Sequence, residues 1–375
     1  MITDPVLGLF LDMGLGKTVI TLTAVNDLRF NRFAVRKVLV IAPKKVAEDT
    51  WTRESQKWDH LKMLRVIPVL GSIKQRIRAI NTPGDIWVLS RDNVSWLVDY
   101  YKNDWPFDMV IIDELSSFKS NKAKRFRKLK SVRNHIHRIV GLTGTPTPNG
   151  LEDLWAQIYL LDEGKRLGKT LTGYRDNYFT PGARNGNVIY EYNPRTWADE
   201  EINERIKDIC ISMKAEDYLE LPERIDNVRH IKLPDKAKKQ YEELEKTMIA
   251  DIDGETIDVT SAAALSNKLL QLCNGAVYDA DGIYHEVHDE KIEALKEIID
   301  ANAGKGILVF YNFKHDKARI QKALKKSKLR IGELKNPDSI TAWKWADGYP
   351  TCTSGKCSIW IKPPGRWAHH CLVWT

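Results

Sequence analysis

Short apolar runs recur along the first part of the chain, each followed by Pro, Ser, Thr or an acidic residue: Val6 to Leu11, Val38 to Ala42, Ile86 to Leu89, Met109 to Ile112, and Ile139 to Leu142. Amphipathic stretches rich in Lys, Arg and Glu lie between them. Strand-length apolar runs alternating with helix-length amphipathic segments predict an α/β fold, a parallel sheet with helices on both faces. Ligands of such sheets bind where the strands end, so the residues just after each run are the ones to read for chemistry.

The pattern changes further on. Residues 163–225 read as a helical insertion, with Tyr174, Tyr178 and Phe179, a glycine-rich turn around Gly182 to Gly186, and a helix around Ile202 to Met213. Leu221-Pro222 then leads into a second α/β region. There Tyr241 lies on a charged helix, Lys268-Leu269-Leu270-Gln271 on another, and His288-Asp289-Glu290-Lys291 opens a third. Ile307 to Phe310, between Gly306 and Asn312, reads as the first central strand of that region. The predicted division is 1–162, 163–225, 226–343 and a compositionally distinct tail, 344–375.

Length agrees with this division, because 375 residues exceed what one hydrophobic core usually serves. The apolar runs are far shorter than a bilayer, which argues against a membrane-spanning protein. Met1 to Phe10 lacks a basic leader with a cleavage site, so a cytoplasmic location with reduced cysteines is expected. The net charge is +8, of which the tail supplies +3 (Lys344, Lys356, Lys362 and Arg366 against Asp347), leaving +5 for 1–343. That balance favours a polyanionic partner only weakly.

Three strand ends carry chemistry. After the first run, Met13-Gly14-Leu15-Gly16-Lys17-Thr18 opens an apolar helical pattern. Glycines let the backbone curl so that its N–H groups and the helix N-terminus face phosphate oxygens; Lys17 reaches the β- and γ-phosphates and Thr18 ligates Mg²⁺. The fourth run ends in Asp113-Glu114, which suits an NTPase: Asp113 holds Mg²⁺, and Glu114 orients and deprotonates the attacking water. The fifth runs into Thr143-Gly144-Thr145-Pro146, where two hydroxyls on a tight turn are placed to sense the γ-phosphate. A glycine-rich turn, an acidic first helical turn and a Gly-Pro loop would each explain one motif alone. Together and in this order they point to a nucleoside triphosphate with Mg²⁺.

The same order resembles the superfamily-two helicases: Gly-Leu-Gly-Lys-Thr, Val-Ile-Ala-Pro (Val40 to Pro43), Asp-Glu-Leu-Ser (Asp113 to Ser116) and Thr-Gly-Thr-Pro. Asp12-Met13 before the first motif, the Trp51…Glu54…Trp58 segment and Leu151-Glu152-Asp153-Leu154-Trp155 narrow the resemblance to the Swi/Snf-type DNA translocases. Ser116-Ser117-Phe118-Lys119 and Arg166-Leu167-Gly168-Lys169 are similar to the compact branch common in phages and prophages. The resemblance implies two RecA-like lobes with ATP between them and duplex DNA across both, and an ATP hydrolase driven by DNA, with ATP and Mg²⁺ as cofactors. It implies that Ala42, Pro43 and Lys44 touch a DNA phosphate, that Ser90, Arg91 and Asn93 add backbone contacts, and that Thr143, Gly144 and Thr145 couple hydrolysis to DNA. The basic run from Lys119 to Lys130 is a second candidate groove, or else a solvated helix face. No membrane partner is expected, and nothing indicates a protein partner.

Two other classes compete. A P-loop kinase or transport ATPase is disfavoured by Thr-Gly-Thr-Pro after the acidic strand and by a second α/β region in place of a lid. A truncated nucleotide- and DNA-binding protein without efficient turnover is favoured by the tail. A complete second lobe would continue with a strand, a Gly-Leu-Asn-Leu type motif and a helix bearing arginines worth about 10³ to 10⁵ in rate in related NTPases. The tail instead holds four of the 12 Trp and three of the 5 Cys without periodicity. Cys352, Cys357, His369, His370 and Cys371 are zinc-ligand types at loose spacing. One surplus nucleotide after the Trp343 codon explains more, since the shifted frame permits an apolar strand, Gly-Leu-Asn-Leu and a second strand. At the other end, the family's usual adenine-recognising Gln segment is expected to be missing.

Overall fold

A computed structural model of the chain describes residues 1–185, 188–220, 227–252, 254–259, 261–301, 307–325, 327, 330–333, 358–362 and 371–373. The chain separates into two compact units, Met1–Leu221 and Pro222–Thr375. The first is built on seven parallel strands, β1 (Val6–Leu11), β2 (Val38–Ala42), β3 (Val66–Val69), β4 (Ile86–Ser90), β5 (Met109–Asp113), β6 (Arg138–Thr143) and β7 (Cys210–Met213). Their order across the sheet is β7-β1-β6-β5-β2-β4-β3. Side chains alternate between two cores. Leu39, Ile41, Trp87, Leu89, Val110 and Ile112 pack on one face, while Val38, Val40, Ile86, Val88, Met109 and Ile111 pack on the other. Burial on both faces is why these strands read as unbroken apolar runs and not as alternating ones.

Two strands escaped the sequence pattern. β3 contains Pro68, which cannot donate to a ladder and is tolerated because β3 is an edge strand. β7 corrects the predicted helix to Met213: that helix spans Ala198–Ile206, and Cys210–Met213 turns back to pair in parallel with Gly8–Leu11 of β1. Gly8 makes the pairing possible, since a Cβ there would lie 2.9 Å from the Cys210 sulfur. The segment read as a helical insertion is therefore mixed. It holds the helices Leu171–Tyr178 and Ala198–Ile206 and the antiparallel pairs Phe179–Pro181 with Tyr192–Pro194 and Arg184–Asn185 with Val188–Ile189. Tyr174, Tyr178 and Phe179 are buried in the first unit's core.

The second unit begins with the helix Asp235–Thr247 and the hairpin Ile249–Ile252 with Glu255–Asp258, then the helix Ala262–Cys273 and the hairpin Ala276–Tyr278 with Tyr284–Glu286. The helices Glu290–Ala301 and Lys314–Leu324 flank the strand Ile307–Phe310 in sequence. That strand is central, as expected, in a parallel sheet ordered Arg330–Glu333, Ser358–Lys362, Ile307–Phe310, Cys371–Val373. Two strands thus come from a tail expected to carry none. Ser-Ile-Trp-Ile-Lys and Cys-Leu-Val are β-favouring runs too short to reveal a period. The codons around Trp343, and Cys352, Cys357, His369 and His370, lie outside the described residues. Among the described residues no helix is long and apolar enough to cross a membrane.

Candidate functional site

The site forms where β1, β6 and β5, neighbours in that order, end on the same edge of the sheet. β1 is followed by the turn Asp12–Gly16 and then by α1 (Lys17–Asn26). Gly14 (φ 89°) and Gly16 (φ 72°) are left-handed, and Gly16 is the N-cap, so the unpaired first N–H groups of α1 face the turn. Lys17 folds back across it, its Nζ donating to the Leu11 carbonyl at 2.6 Å and the Asp12 carbonyl at 3.0 Å. Burial lowers the pKa of this ammonium, and the charges of Asp113, Glu114 and Asp12 oppose that shift. Thr18, in the first turn, is half-buried, Met13 is exposed, and Leu15 packs against the core beneath. β7 braces the turn: the Asp12 N–H donates to the Met213 carbonyl at 3.1 Å, and the Asp12 carboxylate accepts from the Ala215 N–H at 3.0 Å.

β5 ends in Asp113, and Glu114 then adopts a left-handed backbone (φ 62°, ψ 61°). For a residue with a Cβ this conformation costs about 1–3 kcal/mol, and such strain persists mostly at functional sites. The Glu114 carboxylate accepts from the Ser116 hydroxyl at 2.5 Å and the Thr143 hydroxyl at 3.4 Å. Asp113 accepts from the indole N–H of Trp51 at 3.0 Å. Burial pushes the Asp113 carboxyl up to about 6; the Trp51 hydrogen bond pulls it down, and the adjacent Glu114 charge adds to the rise.

β6 lies between, with Thr143 level with Phe10 of β1 and Leu142 level with Asp113. The buried Thr143 hydroxyl, besides donating to Glu114, accepts from the Thr145 N–H at 3.2 Å. A Cβ on Gly144 would lie 3.2 Å from the Leu11 carbonyl oxygen, so glycine lets the two loops close up. Gly14 to Thr18, Asp113, Glu114 and Thr143 to Thr145 therefore share one strand-end cluster. Its donor set fits a divalent magnesium ion and polyphosphate: hard hydroxyl and carboxylate oxygens, two adjacent acids, a lysine and a helix N-terminus.

The residues expected to meet DNA stand at the ends of the adjacent strands β2 and β4. Ala42 is fully buried and offers only its backbone. Pro43 is half-buried, and Lys44 is exposed at the start of a helix, 3.9 Å from Glu48. Ser90 is buried and Arg91 half-buried. The Asn93 side-chain carbonyl accepts from Arg76 at 2.5 Å, and that guanidinium lies 4.4 Å from the Trp96 ring centroid. In the basic run, Lys119 pairs with Asp153, Arg125 with Asp92 and Lys128 with Asp99, while Lys130 sits over Tyr159. Lys122, Lys124 and Arg127 are exposed.

Sequence reading used Trp51 and Ser116 only to narrow the resemblance and gave neither a role at the site, and it passed over the Asp12–Ala215 contact. Ser116 comes two residues after the acid Glu114, a local signal. Trp51 is 62 residues from Asp113, a contact no local pattern marks.

Comparison with known proteins places the chain in a family. The model of the SNF2-related domain matches residues 7–276. Protein p41 of Acyrthosiphon pisum secondary endosymbiont phage 1 is 37% identical over 338 residues, 88% of this chain and 73% of that protein. The Bos taurus DNA annealing helicase and endonuclease ZRANB3 is 29% identical over 263 residues, 65% of this chain and 23% of that protein. The yeast (Saccharomyces cerevisiae) chromatin-remodeling ATPase INO80 is 28% identical over 163 residues, 40% of this chain and 10% of that protein. The chain thus spans less than a quarter of these two eukaryotic relatives. The Sulfolobus solfataricus SWI2/SNF2 ATPase core in complex with dsDNA aligns with a TM-score of 0.48 at 21% identity, covering 96% of this chain and 74% of that one. With most of its length matched by the domain model, the chain belongs to the SNF2-related family.

Proposed function

We propose that the first unit binds ATP with magnesium at the ends of β1, β5 and β6 and hydrolyses it in response to duplex DNA, driving translocation along that DNA. The observation that carries this reading is the convergence of Lys17, Asp113, Glu114 and Thr143 on three adjoining strand ends. The Gly14–Gly16 turn and the start of α1 receive the phosphates, and Lys17 exchanges its two carbonyl partners for phosphate oxygens. Thr18 and Asp113 would hold magnesium, which would supply positive charge against the charge developing on the phosphates. Glu114 takes a proton from the attacking water, its carboxylate held in place by Ser116, Thr143 and a fixed backbone. Thr143 and Thr145 share one hydroxyl-to-amide bond, so movement of the phosphate next to that loop reaches Glu114 directly.

Lys44, Arg91 and the backbone around Ala42, Pro43 and Ser90 supply phosphate contacts that do not read sequence. The test is ATP hydrolysis by the chain with and without duplex DNA, over a range of salt. Strong stimulation by duplex of unrelated sequences, weakening with salt, supports the reading. Hydrolysis indifferent to DNA would remove the translocase and leave an ATPase of another kind.

A further inference from the structure

Trp51 is the first residue of α2 (Trp51–Lys57), which the chain enters through one of two π-helical stretches among the described residues of the first unit, the other being Asp27–Asn31. After β2 come Pro43, the helical Lys44 and Lys45, and then a five-residue π-helical stretch, Val46–Thr50. A π stretch admits an extra residue and so rotates the next helical segment by about 100° relative to a regular helix, and such stretches are frequent at functional sites. The first side chain rotated in this way is that of Trp51, wholly buried in the core beneath β1, β2 and β5, in a cluster with Leu22, Ala47 and Leu61. A buried indole usually has an acceptor for its N–H, although that of Trp87 has none. The acceptor is the Asp113 Oδ2, 3.0 Å away.

We infer that Trp51 is a positioning residue for the Asp113 carboxylate. Its N–H fixes Oδ2 and so sets the orientation of the carboxylate that would hold magnesium. The same helical segment begins at Lys44, so the indole also ties a proposed DNA-phosphate contact to the magnesium-holding acid. This inference rests on the proposed role of Asp113 and adds to it a residue that neither the motif nor its immediate neighbourhood names. A tryptophan that merely fills the core would lower stability when changed and leave the magnesium dependence of nucleotide binding alone.

The experiment is a titration of a fluorescent ATP analogue into the full chain, in EDTA and over a magnesium series, for the wild type, Trp51→Phe, Asp113→Asn and the double variant. Trp51→Phe keeps most of the ring and removes the donor. Its binding in EDTA stays within about twofold of wild type, while the magnesium needed for half-maximal tight binding rises about tenfold, in keeping with loss of one hydrogen bond to a charged acceptor. In the Asp113→Asn background the same change adds nothing further. An unchanged magnesium requirement in Trp51→Phe, or an equal fall in EDTA and in magnesium, overturns the inference. A wild-type chain that binds no nucleotide under either condition overturns the site reading, and the role of Trp51 falls with it. If Trp51→Phe does not fold, ¹⁵N-indole spectra of the folded proteins decide. One tryptophan N–H resonance moves both with magnesium and ATP and with Asp113→Asn; no indole signal responding to Asp113→Asn would be contradictory.

Discussion

Asp113 in the first unit and Asp316 in the second are both carboxylates beside buried aromatic residues, and they are set up in opposite ways. Asp316 is wholly buried, and fixed donors hold one of its oxygens, the Phe313 N–H at 2.9 Å and the Asn274 amide at 3.2 Å; His315 Nδ1 lies 3.0 Å from the other oxygen without a hydrogen bond between them. Around it Lys291 donates to the Asn274 side chain at 2.6 Å, and Arg319 reaches the Asn274 carbonyl at 2.6 Å and Asp289 at 2.8 Å. Gly275, at φ 93°, sits so tightly among these groups that a Cβ would come within 2.2 Å of the His288 carbonyl oxygen. Charges and dipoles there lock a turn in place. Asp113, by contrast, has its carboxyl pushed up to about 6, with Glu114 as its neighbour and the Trp51 indole as its side-chain donor. A carboxylate enclosed by its own scaffold builds structure; one at a strand end, beside a second acid and within reach of the Lys17 ammonium, is placed for phosphate and a cation.

The sharpest way to break this contrast is at the acid next to Asp113. Glu114→Gln is expected to lower ATP hydrolysis by about 10² to 10⁴, the usual worth of a positioned base, with nucleotide binding preserved. A steady-state assay paired with equilibrium binding checks it; parallel loss of both would assign Glu114 to folding. Asp316→Ala should do the reverse. Leaving a buried cluster of donors without its acceptor costs about 3–5 kcal/mol, visible as earlier unfolding of the second unit in urea, with ATP affinity unchanged. Weakened ATP binding in a still-stable protein would show that the second unit's network serves nucleotide after all.

Asp113→Asn sharpens the contrast through pH. The folded carboxyl titrates near 6 against an ordinary value of 3.8, so protonation favours the folded, nucleotide-free chain. Stability from this group is therefore greatest below about pH 4, falls as pH rises towards 6, and is level above. The asparagine variant should lose that slope and melt higher than wild type at pH 7, a common signature of strained functional sites. Thermal melts without magnesium from pH 4 to 8 measure it, and a lower melting temperature at pH 7 counts against the assignment. The smallest expected effect is that of Lys44→Ala. Removing one phosphate contact should make the slope of log affinity for duplex DNA against log salt shallower by about 0.9, with no change in ATP binding.

Much of the first unit was legible in its sequence because both sheet faces are buried: continuous apolar runs marked five strands, and each chemical motif lies within a few residues of the end of one. Glycine spacing at Gly14 and Gly16 and the acid pair Asp113-Glu114 are local patterns, and the fold brings them together because β6 lies between β1 and β5. The features that stayed hidden depend on distance or context. Trp51 meets Asp113 across 62 residues. β3 hides behind Pro68, which only an edge position permits. β7 looks like the end of a helix until Gly8 makes room for Cys210. The left-handed backbone of Glu114 leaves no mark in composition at all. In the second unit the His288-Asp289-Glu290-Lys291 motif marked a helix start correctly, but only burial shows that its neighbours serve the scaffold.

The most direct test of the account measures ATP hydrolysis and bound ATP in the same samples, for the wild-type chain, Lys17→Ala and Glu114→Gln, with magnesium and saturating duplex DNA. The account predicts turnover and binding in the wild type, binding without turnover in Glu114→Gln, and neither in Lys17→Ala. Equal binding and equal turnover in all three would contradict it, because the phosphate lysine and the catalytic acid would then lie elsewhere.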